Sequence, residues 1–308
     1  MSALGHFWTI APRLRHGVRP LPIPEWRPWE TSLMDPVAGT VPVTGRLREA
    51  PGSDEVLVVV HGLGGCTESH YMYRAAVAAE AAGLSCLRIN LRGCDRQSGD
   101  FYHAGLTADL HAALASEELS RYRRIFLLGY SLGGHVVLRL ATEEADPRLA
   151  AAAAVCSPLD LALSQREIDA PSRWVYRRYL LGNLLRIYAA VAARRPVPIP
   201  VEEAARLPTL RAWDDHIVAP RHGFADAADY YVRASVAPRL ADLRVPALLL
   251  NSEADPMVPA GPVRAALKGG APRLEVRWVD GGGHVAFPQS LGVEAQLIGW
   301  LRSPRPHS

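Results

Sequence analysis

A serine flanked by glycines is the feature of this sequence that most clearly indicates chemistry. Gly129-Tyr130-Ser131-Leu132-Gly133 matches the pattern G-x-S-x-G, and it lies between a predicted strand at 124–130 and a predicted helix at 132–143. In that setting a sharp turn holds the serine hydroxyl above the end of a sheet and directs the N-terminus of the helix at it. The pattern predicts Ser131 as a nucleophile. The alternative is a glycine-rich turn with an incidental serine.

A serine needs a general base to act as a nucleophile at neutral pH. His284 stands in Gly281-Gly282-Gly283-His284-Val285, directly after the last predicted strand. Because loops at the carboxyl ends of parallel strands meet at one edge of a sheet, we predict that His284 is the base. The other ten histidines are expected to be ordinary surface residues.

A carboxylate must orient that histidine by accepting its Nδ1 hydrogen, which fixes the tautomer. Asp255 opens an Asp-Pro-Met-Val-Pro stretch after the predicted strand 246–251, and so falls between serine and histidine in the chain order typical of this motif. We predict Asp255 as the acid. Glu253, two residues earlier, is the alternative.

Two backbone N–H groups are predicted to bind the developing oxyanion. The N–H of Leu132 follows the nucleophile, and the N–H of Leu63 lies in His61-Gly62-Leu63-Gly64-Gly65, after a valine-rich strand. We expect His61 to orient this loop rather than to act as a second base. The chain contains neither G-x-x-x-x-G-K-[ST] nor G-x-G-x-x-G, so a phosphate-binding loop is not predicted.

Strands and helices alternate along most of the chain, which predicts a mostly parallel sheet with helices on both faces. Together with the strand–serine–helix turn at Ser131, this predicts an α/β-hydrolase fold. We interpret 1–308 as one domain. The alternation breaks over about 159–238, a helical, arginine-rich stretch that we expect to be a lid insertion. Residues 1 to about 35 are expected to form an ordered arm on the surface, and 41–47 an edge strand.

The composition excludes several classes of protein. A net charge of +3 over 308 residues gives no reason to expect a nucleic-acid partner. The four cysteines lack CxxC spacing, which argues against a zinc knuckle or a redox pair. The N-terminus does not resemble a secretory signal, and no stretch is apolar enough to span a membrane. We therefore expect a soluble cytoplasmic protein.

The chain resembles the YheT-like family of bacterial α/β-hydrolases and its eukaryotic relatives, the ABHD lipases. Segments that carry the resemblance span almost the full length: HFWTIAPRL at 6–14, HGLGG at 61–65, NLRGC at 90–94, YHAG at 102–105, GYSLGG at 129–134, WDDHIVAPRHGFADAADYY at 213–231, EADPMVP at 253–259 and GGGHVAF at 281–287. Family members often have a glutamate at the position of Gly64 and an asparagine at that of His135. Many have paired aspartates at 254–255, and only the second is present here, which supports Asp255.

The resemblance implies carboxylester hydrolysis of short- to medium-chain esters or monoacylglycerols, without a metal or an organic cofactor. An acyltransferase that uses the same triad and a catalytically inactive binding scaffold remain the alternatives. Apolar residues of the insertion could line an acyl pocket (Trp174, Leu180, Leu181, Leu184, Leu185 and Ile187). Its arginines are expected to form a solvated face, with a weak membrane-surface contact as the alternative (Arg173, Arg177, Arg178 and Arg186). The oligomeric state is not predicted.

Overall fold

A sheet of eight strands runs through the protein, seen in a computed structural model that describes residues 2–143 and 146–304. The strand order is β1-β2-β4-β3-β5-β6-β7-β8. Strands β3 to β8 are parallel, whereas β2 pairs antiparallel with both β1 and β4. The strands are β1 (Arg27–Asp35), β2 (Gly39–Arg48), β3 (Glu55–Val60), β4 (Ser85–Ile89), β5 (Arg124–Tyr130), β6 (Leu149–Val155), β7 (Ala247–Ser252) and β8 (Leu274–Val279).

Helices cover both faces of this sheet. They are α1 (Ala3–Val18), α2 (His70–Ala81), α3 (Ala108–Leu114), α4 (Glu117–Ser120), α5 (Leu132–Thr142), α6 (Leu161–Asp169), α7 (Trp174–Ala192), α8 (Val201–Ala204), α9 (Leu210–Trp213), α10 (Ala219–His222), α11 (Ala227–Ala234), α12 (Ala260–Ala266) and α13 (Val293–Arg302). A π-helical turn, Asp214–Val218, joins α9 to α10. The predicted α/β fold with a mostly parallel sheet is confirmed.

The central strands are apolar on both faces because each face meets a layer of helices. In β3, Val58 packs into the core shared with α3, α5 and α12, whereas Leu57 packs into the core shared with α2 and α13. All six residues of β3 are buried. This accounts for a continuous valine-rich run rather than an alternating one. The alanine-rich run at 150–156 is also a strand, because β6 is paired on both sides, by β5 and β7.

The structure departs from the expectations for the N-terminal region at two points. The segment interpreted as an arm begins with the 16-residue helix α1 and ends in β1, which belongs to the sheet. Because β1 lies outside β2, residues 41–47 form the second strand and not the edge. Pro12 inside α1 and Pro28 inside β1 obscured both elements, although an edge strand tolerates a proline.

The stretch predicted as a lid insertion contains α6 to α11 and the π-helical turn. It leaves the sheet after β6 and returns to it at β7. Among the residues that the structure describes, no helix combines the length and the apolarity needed to cross a bilayer.

Candidate active site

Ser131 sits on a strained turn between β5 and α5. Its φ of 53° and ψ of −122° lie outside the conformations that residues with a side chain usually adopt. The two glycines of the motif occupy positions where a side chain would clash with the backbone. A Cβ on Gly129 would lie 2.3 Å from the carbonyl oxygen of Gly133, and a Cβ on Gly133 would lie 2.4 Å from that of His61. Such strain is characteristic of functional sites.

The hydroxyl of Ser131 begins a chain of hydrogen bonds. Its Oγ lies 2.9 Å from Nε2 of His284, and Nδ1 of the same ring lies 2.8 Å from Oδ2 of Asp255. The other carboxylate oxygen of Asp255 accepts the backbone N–H groups of Met257 and Val258 at 2.8 and 3.0 Å. The structure thus brings together the three side chains predicted from sequence. All three follow the carboxyl ends of parallel strands: β5, β7 and β8.

Glu253 lies away from this chain of hydrogen bonds. Its carboxylate forms an ion pair with Arg264, and its side chain is one third exposed. Asp255, by contrast, is buried. The geometry therefore favours Asp255 over Glu253 as the partner of His284.

The loop after β3 lies against Ser131, since a Cβ on Gly62 would come within 3.6 Å of Oγ. Two tyrosine hydroxyls hold this loop. The N–H of Gly62 donates to Tyr71 at 3.0 Å, and the N–H of Gly64 donates to Tyr102 at 2.7 Å. The N–H of Leu63 has no hydrogen-bond partner among the described residues and so is free to bind an oxyanion.

The N–H of Leu132 is the first of α5, where a helix has no internal acceptor for it. Like the N–H of Leu63, it is free to donate a hydrogen bond to a ligand, which is what an oxyanion site requires. Both residues line the same cavity as Ser131.

His61 has a role in holding the loop. Its Nδ1 lies 2.8 Å from the carbonyl oxygen of Gly62, and its Nε2 accepts the backbone N–H of Leu91 at 3.1 Å. Complete burial lowers the pKa of His61 to about 4. The ring is therefore neutral near pH 7. Because both of its nitrogens contact backbone groups, His61 is placed to orient the loop and not to act as a second base.

The expectation that the other histidines lie on the surface is wrong for several of them. Besides His61, His70 and His135 are buried. Burial lowers the pKa of His70 to about 3, and that of His135 also falls. These side chains stay uncharged at neutral pH because the protein interior disfavours the charged ring.

Within the described residues, one group of side chains has its potential metal ligands close together: Cys156, Asp255 and His284, whose ligand atoms all lie within 4.8 Å of one another. Asp255 and His284 already bond each other. Burial and the nearby Asp255 raise the pKa of the Cys156 thiol well above its ordinary value. A thiol that keeps its proton is a poor ligand, so this group does not indicate a metal centre.

A cavity of about 840 Å³ opens above Ser131 and His284. Helix α7 contributes one wall through Leu180, Leu184 and Ile187. Aromatic side chains from 188–231 also line the cavity: Tyr188, Trp213, Tyr230 and Tyr231. The surface of the cavity is mostly apolar, and polar side chains such as Gln165 and Asn183 also line it. This combination is typical of a site for a small organic ligand.

The predictions for α7 are only partly correct. Trp174 is 56% exposed instead of lining the cavity, and Leu181 and Leu185 pack into the protein core. The arginines do not share a solvated face. Arg173 pairs with Glu167 at 2.8 Å and Arg177 donates to the carbonyl oxygen of Asp169. Arg178 and Arg186 are exposed, as expected.

Sequence reasoning missed the contact of α1 with the site. The hydroxyl of Thr9 accepts the backbone N–H of His284 at 2.8 Å. Gly5 packs so tightly that an added Cβ would lie 1.9 Å from the carbonyl oxygen of Ala254. Helix α1 therefore supports the loops that carry both the acid and the base. The signal that could have found it is a helical spacing of apolar residues from Leu4 to Val18.

Sequence reasoning also left Asp214 without a role. This residue opens the π-helical turn, an element often found at functional sites, and lines the cavity. The hydroxyl of Tyr231 donates to its Oδ2 at 2.6 Å. Burial raises the pKa of Asp214 to about 7.

The comparisons with known proteins agree with the fold. The sequence model of the alpha/beta hydrolase family matches residues 57–295. The chain is 33% identical over 265 residues to YheT of Escherichia coli, covering 81% of this chain and 75% of YheT. It is 28% identical over 262 residues to the medium-chain fatty acid ethyl ester synthase/esterase 2 of Saccharomyces cerevisiae, covering 75% of this chain and 58% of that protein.

Among solved structures, the esterase Pf2001 of Pyrococcus furiosus superposes with a TM-score of 0.60 over 90% of this chain and 92% of its own. At 17% identity this likeness shows a shared fold. The family match and the identity to YheT show the family as well as the fold. The chain therefore belongs to the esterase- and lipase-type enzymes of the α/β hydrolase family, with the YheT-like proteins that its motifs predict.

Proposed function

We propose that the protein is a serine carboxylester hydrolase in which Ser131, His284 and Asp255 form the catalytic triad. The observation that carries this proposal is the unbroken chain of hydrogen bonds from Ser131 to Asp255, which begins on a strained turn at the bottom of an apolar cavity. A hydroxyl, an imidazole and a carboxylate in this order are what nucleophilic acyl transfer requires.

In the proposed reaction, Nε2 of His284 takes the proton from Ser131 as its Oγ attacks the ester carbonyl. The carbonyl oxygen gains negative charge, which the N–H groups of Leu63 and Leu132 stabilise. His284 then donates the proton to the leaving alcohol, and an acyl-enzyme remains. Water activated by the same ring attacks the acyl-enzyme and releases the acid, which restores Ser131.

The cavity supports esters with short to medium acyl chains, or monoacylglycerols, as substrates. Leu180, Leu184 and Ile187 offer an apolar wall for an acyl chain, and each buried methylene contributes about 0.8 kcal/mol of transfer free energy. We therefore expect kcat/KM to rise up to about fourfold per methylene until the cavity is full. In this proposal the segment at about 159–238 is a lid whose helices close the cavity.

The test of the triad is labelling with a fluorophosphonate probe. Ser131→Ala should abolish labelling and lower kcat for p-nitrophenyl butyrate by about 10⁴-fold or more, with the free energy of unfolding unchanged. Ser164→Ala is the matched control, because Ser164 also lines the cavity but donates to the carbonyl oxygen of Asp160. Labelling that survives Ser131→Ala, or that disappears in Ser164→Ala, would contradict the assignment.

The test of the substrate class is a parallel assay of acetyl, butyryl, octanoyl and palmitoyl esters, monoacylglycerol, triacylglycerol and a panel of peptide amides. We expect monoacylglycerol to be preferred over triacylglycerol, and amides to be poor substrates. Greater activity on amides than on esters would overturn the substrate class.

The yeast relative, whose name includes an ester synthase activity, gives a reason to test acyl transfer as a second candidate. Adding ethanol to the assay separates the two functions. A hydrolase releases mainly free acid, whereas an acyltransferase releases mainly ethyl ester.

A further inference from the structure

Helix α1 presents large apolar side chains to solvent and turns small residues toward the protein. Gly5 and Thr9 contact the loops of the site. The opposite face is apolar and open: Leu4, Phe7, Ile10, Leu14 and Val18 are 52%, 57%, 43%, 64% and 89% exposed. Spacings of three and four residues place these five side chains along one face, which we call the apolar stripe. A surface helix normally turns such a face inward, so this arrangement indicates a partner.

The apolar stripe forms part of the mouth of the cavity. Ile10, Leu14 and Val18 are exposed and also line the cavity wall. Across the mouth, at the start of α7, Val175 has the same two properties and its neighbour Trp174 is 56% exposed. Whatever covers the apolar stripe therefore lies directly at the entrance to the cavity.

The charge of the two helices at this mouth is positive. Neither α1 nor α7 contains an aspartate or a glutamate, whereas together they contain five arginines (Arg13, Arg15, Arg177, Arg178 and Arg186). Arg15, Arg178 and the adjoining Arg19 are exposed. A second copy of the chain on the same face would bring these like charges together, which disfavours self-association.

We propose that the apolar stripe, with Trp174 and Val175, docks on an anionic phospholipid surface and directs the mouth of the cavity at the lipid. Apolar side chains of this type enter the boundary between headgroups and acyl chains, and the arginines beside them pair with lipid phosphates. An apolar molecule dissolved in the membrane would then enter the cavity without crossing water. The docking rests on the surface alone and does not require the chemistry proposed for Ser131.

The experiment measures sedimentation of the purified protein with vesicles of phosphatidylglycerol and phosphatidylcholine, and with vesicles of phosphatidylcholine alone. The wild type should bind the anionic vesicles more tightly, and about 1 M salt should weaken this binding. The double variant Leu4→Ser/Phe7→Ser should lower the partition coefficient by about tenfold or more, since both side chains lose their apolar contact with the membrane. Neither residue lines the cavity, so turnover of a water-soluble ester should stay unchanged and report that the protein is folded.

Two further variants make the result specific. Met34→Ser/Val37→Ser removes apolar side chains that are even more exposed, 74% and 76%, from the β1–β2 hairpin and should leave vesicle binding at the wild-type level. Arg15→Glu/Arg19→Glu reverses exposed charges at the apolar stripe and should abolish the preference for anionic vesicles.

Three results would overturn the proposal. The first is a wild type that does not sediment with anionic vesicles. The second is a Leu4→Ser/Phe7→Ser variant that binds as well as the hairpin control. The third is a wild-type oligomer that this variant converts to a monomer in light scattering, which would show that a second copy covers the apolar stripe.

Discussion

At the scale of single residues, the acid of the site is held from two sides. Two backbone N–H groups fix one oxygen of Asp255, and the ring of His284 contacts the other. A carboxylate held in this way keeps the imidazole in the tautomer whose Nε2 can accept a proton from Ser131. The residue therefore acts by orientation as well as by charge.

Asp255→Asn should lower kcat by about 10⁴-fold, the loss that the same change causes in other triads, and leave the fold intact. The reason is that an amide can hold the imidazole ring in the wrong tautomer. Glu253→Gln is the control, since the carboxylate of Glu253 pairs with Arg264 and not with His284, and it should keep nearly full activity. Steady-state kinetics on one soluble ester checks both variants. A larger loss in Glu253→Gln than in Asp255→Asn would reverse the assignment of the acid.

At the scale of elements, the turn into α5 depends on close backbone packing. A Cβ on Gly133 would lie 2.4 Å from the carbonyl oxygen of His61 and 2.5 Å from that of Val60. These are backbone atoms at the end of β3, so they cannot move aside as a flexible side chain can. The helix, the strand β3 and the loop that presents Leu63 are therefore fixed against one another by a residue without a side chain.

Gly133→Ala should displace α5 from β3, lower the free energy of unfolding by roughly 1–3 kcal/mol or more and remove most of the activity. Gly182→Ala is the matched control, because Gly182 lies inside α7 with nothing within 4 Å of an added Cβ. That variant should gain about 0.5–1 kcal/mol from higher helix propensity. Urea unfolding and ester turnover measure the two effects. Wild-type turnover in Gly133→Ala would refute the steric argument.

At the scale of the whole molecule, buried charges join segments that are distant in sequence. The side chain of Arg92 is fully buried and pairs with Asp35, Asp100 and Asp109 at 2.8, 3.0 and 2.7 Å. These partners lie at the β1–β2 hairpin, in the loop after β4 and in α3. Arg221 also pairs with Asp100, at 2.7 Å, so two arginines share the three aspartates. Removal of Arg92 would leave buried carboxylates without a counter-charge.

Asp214 makes the stability of the protein depend on pH in a direction that can be tested. Its pKa is about 7 in the folded protein, against 3.8 for an unperturbed aspartate, so the folded state binds the extra proton between these values. The free energy of unfolding therefore falls as the pH rises from about 4 to about 7, by no more than about 4 kcal/mol, which is the equivalent of the whole shift.

Asp214→Asn should remove this loss while keeping an acceptor for Tyr231. Urea unfolding of both proteins at about pH 4.5 and about pH 8 tests the prediction: the variant should be more stable than the wild type chiefly at the higher pH. His61 and His70, whose lowered pKa values weaken the fold as the pH falls, are present in both proteins and cancel in the comparison. A stability difference that stays constant with pH would show that the pKa of Asp214 is not raised.

The sequence by itself determined the alternating elements and the positions from which Ser131, Asp255 and His284 come. It could do so because each of these residues follows a short apolar strand bounded by turn residues, and parallel strands bring their carboxyl ends to one edge. The glycines around Ser131 are also local evidence, since their need for space arises within a few residues of the serine.

Only the tertiary structure decided what depends on contacts between distant segments. It placed β1 outside β2, and it placed α1 against the loop of His284 through Thr9, 275 residues away in sequence. It also separated Trp174, which faces solvent, from Leu180, which lines the cavity, although both lie on one apolar helix. The physical reason is that a periodic pattern defines the faces of an element, whereas burial is defined by what packs against each face.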